Sequence, residues 1–93
     1  TLMNSPFVIQ QAEYWGEQVL KQEIDSLEGR IEWMYQRAYS RSPSEDEISQ
    51  TIAMLYNQSK EYDILESGRL YDKRIWKDLG HVLLNSKEFI YIF

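Results

Sequence analysis

The C-terminal stretch, residues 75–93, limits what this chain can fold into. Trp76, Leu79, Leu83 and Ile90 fall close to one helical stripe, and five further apolar residues widen it: Ile75, Val82, Leu84, Phe89 and Ile92. Such a helix cannot leave a whole side in water, because helices on a protein surface keep one polar face. We therefore expect the earlier helices to pack around this segment and Trp76 to lie in the core.

The size and composition of the chain predict one domain. Its 93 residues are typical of a single domain, and its 43% hydrophobic and 27% charged residues are ordinary for a globular protein and too apolar for a disordered one. We interpret residues 1–93 as a single helical domain. Because the chain begins at Thr1 rather than at a methionine, we also interpret it as a piece cut from a longer protein.

Net charge and cysteine content exclude several kinds of partner and site. The net charge of −5 disfavours the phosphate backbone of nucleic acids, so no nucleic-acid partner is expected. Two groups of basic residues are interleaved with acids, and we interpret both as solvated helix faces: Arg30, Arg37 and Arg41, then Arg69, Lys73, Arg74 and Lys77. The chain has no cysteine, which excludes disulfides and cysteine-ligated zinc within it. No apolar run reaches about 18 residues, so no membrane span is expected.

Apolar spacing predicts three helices before the C-terminal one. The first is expected to run from Pro6 to about Gln22, with Pro6 in its first turn. Spacings of three, four and seven residues define the three buried stripes: Val8, Ala12, Trp15 and Val19, with Phe7, Leu20 and Ile24 alongside; Ile31, Met34, Tyr35 and Ala38; and Ile48, Ile52, Leu55 and Tyr56. Ser44 and Glu47 have the spacing of a capping box, so the third helix is expected to begin near Ser44, and Ser42-Pro43 with Glu45 is a competing start two residues earlier.

The pattern weakens between Asn57 and Asp72, which predicts a helix end followed by a loop. Five apolar residues are expected to anchor this loop to the core: Tyr62, Ile64, Leu65, Leu70 and Tyr71. The last helix is expected to begin near Asp72 or Lys73 and to run to about Asn85. The predicted fold is therefore all-α, a compact bundle of four main helices, with a short fifth helical turn after Ser86 left open.

The sequence does not assemble a reaction centre. His81 is the single histidine, and no serine is tied to it by a motif, so we expect no catalytic residue in this chain. A metal site needs more ligands than one histidine and scattered acids, so we expect no metal and no cofactor. We interpret His81 as a surface residue that pairs weakly with Asp78.

Four apolar residues are candidates for contact with another protein or domain. Tyr14, Trp33 and Tyr39 lie off the stripes that we expect to be buried, and Leu2 lies at the N-terminal end. Exposed apolar and aromatic residues are typical of protein contact surfaces. We therefore predict an interaction surface at Leu2, Tyr14, Trp33 and Tyr39.

Three stretches together resemble one family. They are residues 2–8 (Leu-Met-Asn-Ser-Pro-Phe-Val), residues 41–48 (Arg-Ser-Pro-Ser-Glu-Asp-Glu-Ile) and residues 83–91 (Leu-Leu-Asn-Ser-Lys-Glu-Phe-Ile-Tyr). In this order they resemble the C-terminal domain of unknown function that ends many large planctomycete-type proteins. The resemblance implies an exported protein of the periplasm or cell surface, often with a cytochrome-c-like domain upstream. It brings no catalytic residues, and the chain departs from the family at Ser40, where relatives commonly have glycine.

Two functions of different classes follow from this combination. The first is a non-catalytic helical module that closes a larger exported protein and packs on its upstream domains or on another protein. The second is one wall of an active site that upstream domains complete, in polysaccharide breakdown or redox chemistry. We favour the first, because no stretch of the sequence combines a nucleophile, a base and an orienting group. A flat apolar patch favours docking, whereas a concave pocket that gathers His81 with acids favours the enzyme.

Overall fold

The computed structural model describes residues 5–86 as four helices in one bundle. They are α1 (Pro6–Leu20), α2 (Leu27–Tyr39), α3 (Glu45–Glu61) and α4 (Lys73–Leu84), with a short 3₁₀ turn at Glu66–Gly68. The described residues contain no β-strand, so the all-α prediction is confirmed. The fifth turn that we left open, and with it Phe89, Ile90 and Ile92, lies outside the described residues, as does Leu2.

Polar side chains define where each helix begins. Ser5 accepts a hydrogen bond from the Val8 amide, and Ser26 accepts one from Gly29. The capping box of Ser44 and Glu47 is present as predicted, with both of its hydrogen bonds formed. Asp72 caps α4 through the amide of Arg74. Each cap satisfies one amide that has no partner inside its own helix, so it fixes the first turn.

Helix α4 lies at the centre of the core and packs closely on α1. Trp76 is fully buried, and Leu79 and Leu83 are nearly so, as expected from their stripe. The two backbones approach each other at glycines. A Cβ on Gly80 would lie 3.2 Å from the Ala12 carbonyl oxygen, and a Cβ on Gly16 would lie 3.0 Å from the backbone nitrogen of Lys77. Because glycine has no side chain, the backbones of α1 and α4 come close together at Gly16 and Gly80, and the neighbouring apolar residues fill the remaining space.

Val82 of α4 and Phe7 of α1 were expected to lie with the buried stripes of their helices, but both are exposed. Val82 is 55% exposed and Phe7 is 62% exposed, so neither belongs to the core. Both lie at the edge of a stripe, where helix rotation decides between core and water. Val82 faces a gap between α4 and α3 rather than a closely packed side chain, so water reaches that edge of the stripe.

Helix α3 is longer than predicted and is rotated relative to its predicted stripe. It continues through the polar residues after Asn57 to Glu61. Its buried residues are Thr51, Leu55 and Ser59, whereas Tyr56, expected to be buried, is 40% exposed. The Arg69 guanidinium lies 4.1 Å from the centre of the Tyr56 ring, which covers one ring face. The buried face of α3 includes the small polar residues Thr51 and Ser59, so apolar spacing alone does not identify it.

The segment between α3 and α4 is anchored by some of the predicted residues and not by others. Tyr62 and Ile64 pack against the core, whereas Leu65 is 77% exposed and Tyr71 is 65% exposed. The Trp76 indole donates a hydrogen bond to the Arg69 carbonyl at 3.1 Å, which fixes the end of this segment to α4. Polar contacts with the backbone therefore replace part of the apolar anchoring that we expected.

Arg30 corrects the interpretation of the first basic group as a solvated face. Only 2% of Arg30 is exposed, and its guanidinium donates a hydrogen bond to the Val19 carbonyl at the end of α1. Burial lowers the pKa of Arg30, although the nearby Tyr71 opposes this shift. A cation at the C-terminal end of a helix also interacts favourably with the helix dipole. Arg30 therefore joins α2 to the end of α1 and is not free for an external ligand.

Candidate functional site

A groove lies between α3 and α4. Its volume is about 490 Å³, and the described residues that line it are Gln58, Asp78, His81, Val82, Asn85 and Ser86. Three of these residues belong to α4, and His81 and Val82 follow Asp78 by three and four positions, so they lie on one face of that helix. No helix within residues 5–86 has both the length and the apolar character needed to cross a membrane.

Asp78 is the polar centre of this groove, and α3 supplies its hydrogen bonds. The Gln58 amide donates to Asp78 Oδ2 at 2.7 Å, and the Tyr62 hydroxyl donates to the same oxygen at 2.6 Å. The hydrogen bond to Asp78 is the main cause that raises the pKa of Tyr62, and partial burial adds to it. The Arg74 guanidinium lies 5.0 Å from the centre of the Tyr62 ring. Asp78 therefore ties α3 to α4.

Among residues 5–86, the groove places His81 on the same wall as one acid, Asp78. His81 is half-buried, and its backbone carbonyl accepts a hydrogen bond from the Asn85 amide. The Ser86 hydroxyl is bonded to the Tyr39 hydroxyl, so it is already engaged within the domain. Across residues 5–86, no three His, Cys, Asp or Glu side chains are grouped to hold a metal ion. The described residues of the groove join α3 to α4 and leave a recess between the two helices.

The structure separates the residues predicted to form an interaction surface. Trp33 and Tyr39 are half-buried and pack against the core, with the Arg37 guanidinium 4.7 Å from the centre of the Trp33 ring. The Tyr39 hydroxyl donates to the Leu83 carbonyl at 2.9 Å, which links α2 to the end of α4. Tyr14 is 55% exposed and is the freely accessible aromatic of the set within the described part.

Helix α1 has an exposed aromatic flank that the sequence prediction divided. Phe7 and Tyr14 are seven residues apart, so they lie on the same side of α1, about 10 Å from each other along its axis. Gln11 and Gln18 complete this flank at helical spacing, and none of its four residues is charged. We call Phe7, Gln11, Tyr14 and Gln18 the α1 flank. The seven-residue spacing of the two aromatics was visible in the sequence, but assigning Phe7 to the core concealed it.

Comparison with known families covers the first part of the chain. Residues 1–55 match the family described as PSD1, protein of unknown function (DUF1553). The chain belongs to the DUF1553 family. No curated protein matches it, and no solved structure does either.

The match to the DUF1553 family divides the two surfaces described above. It includes α1, α2 and the first part of α3, so the α1 flank lies inside it. The groove residues, from Gln58 to Ser86, all lie beyond residue 55. The DUF1553 family is one of unknown function, so membership assigns no role to the α1 flank or to the groove.

Proposed function

We propose that this domain is a non-catalytic helical module that docks through the α1 flank onto another domain of a larger exported protein. The observation that carries this function is the exposure of two large aromatics, Phe7 at 62% and Tyr14 at 55%, on one side of one helix. The proposal takes the module as the part that closes a planctomycete-type protein of the periplasm or cell surface, often with a cytochrome-c-like domain upstream.

The chemistry of the α1 flank is that of a contact surface rather than a solvated face. Cores of protein interfaces contain few charges and are enriched in aromatic residues, because aromatics bury much area at a small entropic cost. The two aromatics of the flank are separated by glutamine side chains, which can form hydrogen bonds across an interface without the cost of burying a charge. The partner expected from this chemistry is an apolar protein surface with a polar rim.

The test is binding between this domain and the remaining, upstream part of the same polypeptide, produced separately and mixed in a calorimeter. We expect binding by the unmodified domain and a loss of at least about tenfold in affinity for the double variant Phe7→Ser, Tyr14→Ser. Leu65→Ser is the matched control, because Leu65 is 77% exposed and lies far from α1 in sequence. Equal affinities for the double variant and the unmodified domain, or no binding at all, would refute docking through the α1 flank.

A second function has its own support, because the groove is concave and holds His81 beside Asp78. In this alternative the groove is one wall of an active site in polysaccharide breakdown or redox chemistry, which upstream domains complete. An NMR titration of the domain with short oligosaccharides tests whether the groove binds carbohydrate, as polysaccharide breakdown requires. Shifts centred on His81 and Val82 that disappear in His81→Ala support it, whereas unchanged spectra at millimolar ligand contradict it.

A further inference from the structure

Helix α3 contributes much less to the apolar core than the other helices do. Its buried residues are Thr51, Leu55 and Ser59, and of these only Leu55 belongs to the hydrophobic core. The Ser59 hydroxyl donates to the Leu55 carbonyl of the same helix, so it does not join α3 to a neighbour. Ile52 and Met54 add partly buried contacts. Apolar burial therefore holds α3 less firmly than it holds α4, where five large apolar residues are buried.

Polar contacts occupy both ends of α3, and those at its end join it to α4. At its start, the Glu47 carboxylate accepts two hydrogen bonds from Arg41, in the turn that follows Ser40, at 2.8 and 2.9 Å. At its end, Gln58 and Tyr62 both donate to Asp78 of α4. Net contributions of such contacts are small, because water competes for the same groups once they are exposed.

The backbone on each side of α3 has an unusual conformation. Ser40, before the helix, and Asp63, after it, both have φ of 56°, and they are the two non-glycine residues with positive φ in the described part of the chain. Left-handed backbone is uncommon for residues other than glycine, and it occurs where a chain turns sharply. The chain therefore turns sharply once before α3, at Ser40, and once after it, at Asp63.

Incomplete packing separates α3 from α4. The groove of about 490 Å³ is accompanied by a second recess of about 160 Å³, and Val82 lines both. Leu79 and Leu83 of α4 lie at the second recess, opposite Thr51 and Met54 of α3. Atoms that face such gaps lack partners on one side, so they gain less from dispersion than closely packed atoms do.

We propose that α3 is a strap that opens as a unit about Ser40 and Asp63 while α1, α2 and α4 remain folded. Opening releases Gln58 and Tyr62 from Asp78 and uncovers the apolar residues Leu79 and Leu83 of α4. The strap is independent of the α1 flank, because its moving parts lie on the α3 side of α4. Elements that open below the global unfolding free energy are those with few buried apolar contacts, as observed for α3.

Amide hydrogen exchange of the folded domain, measured residue by residue by NMR, tests this proposal. In the unmodified domain we expect amides in the middle of α3 to exchange at least about tenfold faster than the slowest amides of α4, with a weaker dependence on added denaturant. Equal exchange free energies and equal denaturant slopes for the two helices would overturn the proposal, because they show that α3 opens only when the whole domain unfolds.

Two variants separate opening of the strap from global unfolding. Ile75→Val weakens the core that stays folded when the strap opens, and Ile75 lines neither recess. It should speed exchange in α4 by roughly 3- to 10-fold and leave α3 unchanged. Asp78→Ala removes a tie that is broken both in the open state and in the unfolded state, so it should speed exchange in α3 and α4 by similar factors. Acceleration of α3 by Ile75→Val, or no effect of Asp78→Ala, would overturn the proposal.

Discussion

Helix α4 meets α1 and α3 in two different ways. Against α1 it packs backbone to backbone, through Gly16 and Gly80, with Trp76 fully buried in the core beside this crossing. Against α3 it leaves two recesses, and the contact depends on hydrogen bonds to Asp78. The first contact excludes water from a continuous apolar surface, whereas the second keeps its polar groups within reach of water.

A small domain can be both stable and deformable when its helices pack with unequal closeness. A chain of this size has a thin core, so its stability depends on a few closely packed residues. Those residues lie mainly in α1, α2 and α4. Helix α3 adds Leu55 and a set of polar ties, so changes in α3 affect local opening more than they affect the whole fold.

The largest effect is expected from Trp76→Ala. Trp76 is fully buried, and its indole donates to the Arg69 carbonyl, so truncation leaves a large cavity and removes that hydrogen bond. We expect the free energy of unfolding to fall by about 3–5 kcal/mol, measured by urea denaturation followed by circular dichroism. Trp33→Ala is the matched control, because Trp33 is only half-buried, and it should cost less than half as much. A cost below about 1 kcal/mol for Trp76→Ala would show that this contact is not the main source of stability.

The second effect tests the close approach of α1 and α4 directly. A Cβ on Gly80 would lie 3.2 Å from the Ala12 carbonyl oxygen and 3.3 Å from the Ala12 Cα, both of them backbone atoms that cannot rotate away. Gly80→Leu should therefore lower the free energy of unfolding by about 1–3 kcal/mol, although leucine favours helix over glycine by about 1 kcal/mol. Val82→Leu, on the exposed side of the same helix, should change it by less than about 0.5 kcal/mol. Equal effects of the two variants would contradict a close helix crossing at Gly80.

The buried stripe of α4 was predictable from the sequence, whereas the contacts that α4 makes with α1 at the two glycines and with α3 at Asp78 were not. The stripe of α4 identified Trp76, Leu79 and Leu83 as core, because large apolar residues at helical spacing have few other solutions. The capping box at Ser44 gave the start of α3, because its two hydrogen bonds are local in sequence. Such signals depend on neighbouring residues alone, so one sequence is enough to detect them.

The candidate site depends on contacts between residues distant in sequence, which a single sequence does not specify. Asp78 meets Gln58 and Tyr62 across 20 and 16 positions, and Arg30 meets Val19 across 11. We interpreted Arg30 as solvated because its group of basic residues is interleaved with acids, but a backbone carbonyl of α1 compensates for its burial. The extension of α3 to Glu61 was missed for a related reason: its buried face includes Ser59, whose hydroxyl is satisfied within the helix.

The third prediction concerns the polar tie at the start of α3. Hydrogen bonds from Arg41, followed by one from the Ser44 amide, lower the pKa of Glu47 from 4.5 to about 2. Glu47→Gln keeps a side chain able to form the capping box and removes the charge. Because the Arg41 and Glu47 side chains are 38% and 32% exposed, water screens the pair, and we expect a loss of only about 0.5–1 kcal/mol at pH 7.

The dependence of this loss on pH identifies its origin. A carboxylate whose pKa is lower in the folded state stabilises the fold above its unfolded pKa, and this stabilisation disappears as the pH falls through the folded pKa. The difference between the unmodified domain and Glu47→Gln should therefore be constant above about pH 5 and shrink between about pH 4.5 and 2. Glu45→Gln, in the same turn but outside the tie, is the control. A difference that persists unchanged at low pH would mean that the charge of Glu47 is not its source.

The smallest effect is expected at the buried face of α3, from Ser59→Ala. Ser59 is fully buried, yet its hydroxyl donates only to the Leu55 carbonyl of its own helix, at 2.8 Å. Alanine loses that bond but favours helix by about 0.5 kcal/mol, so the free energy of unfolding should change by less than about 0.5 kcal/mol. Ser44→Ala, the same exchange at the cap of α3, should cost about 1 kcal/mol, because an amide loses its partner. If Ser59→Ala costs more than Ser44→Ala, the buried face of α3 is packed as closely as the Gly80 crossing, and the contrast between the two contacts of α4 fails.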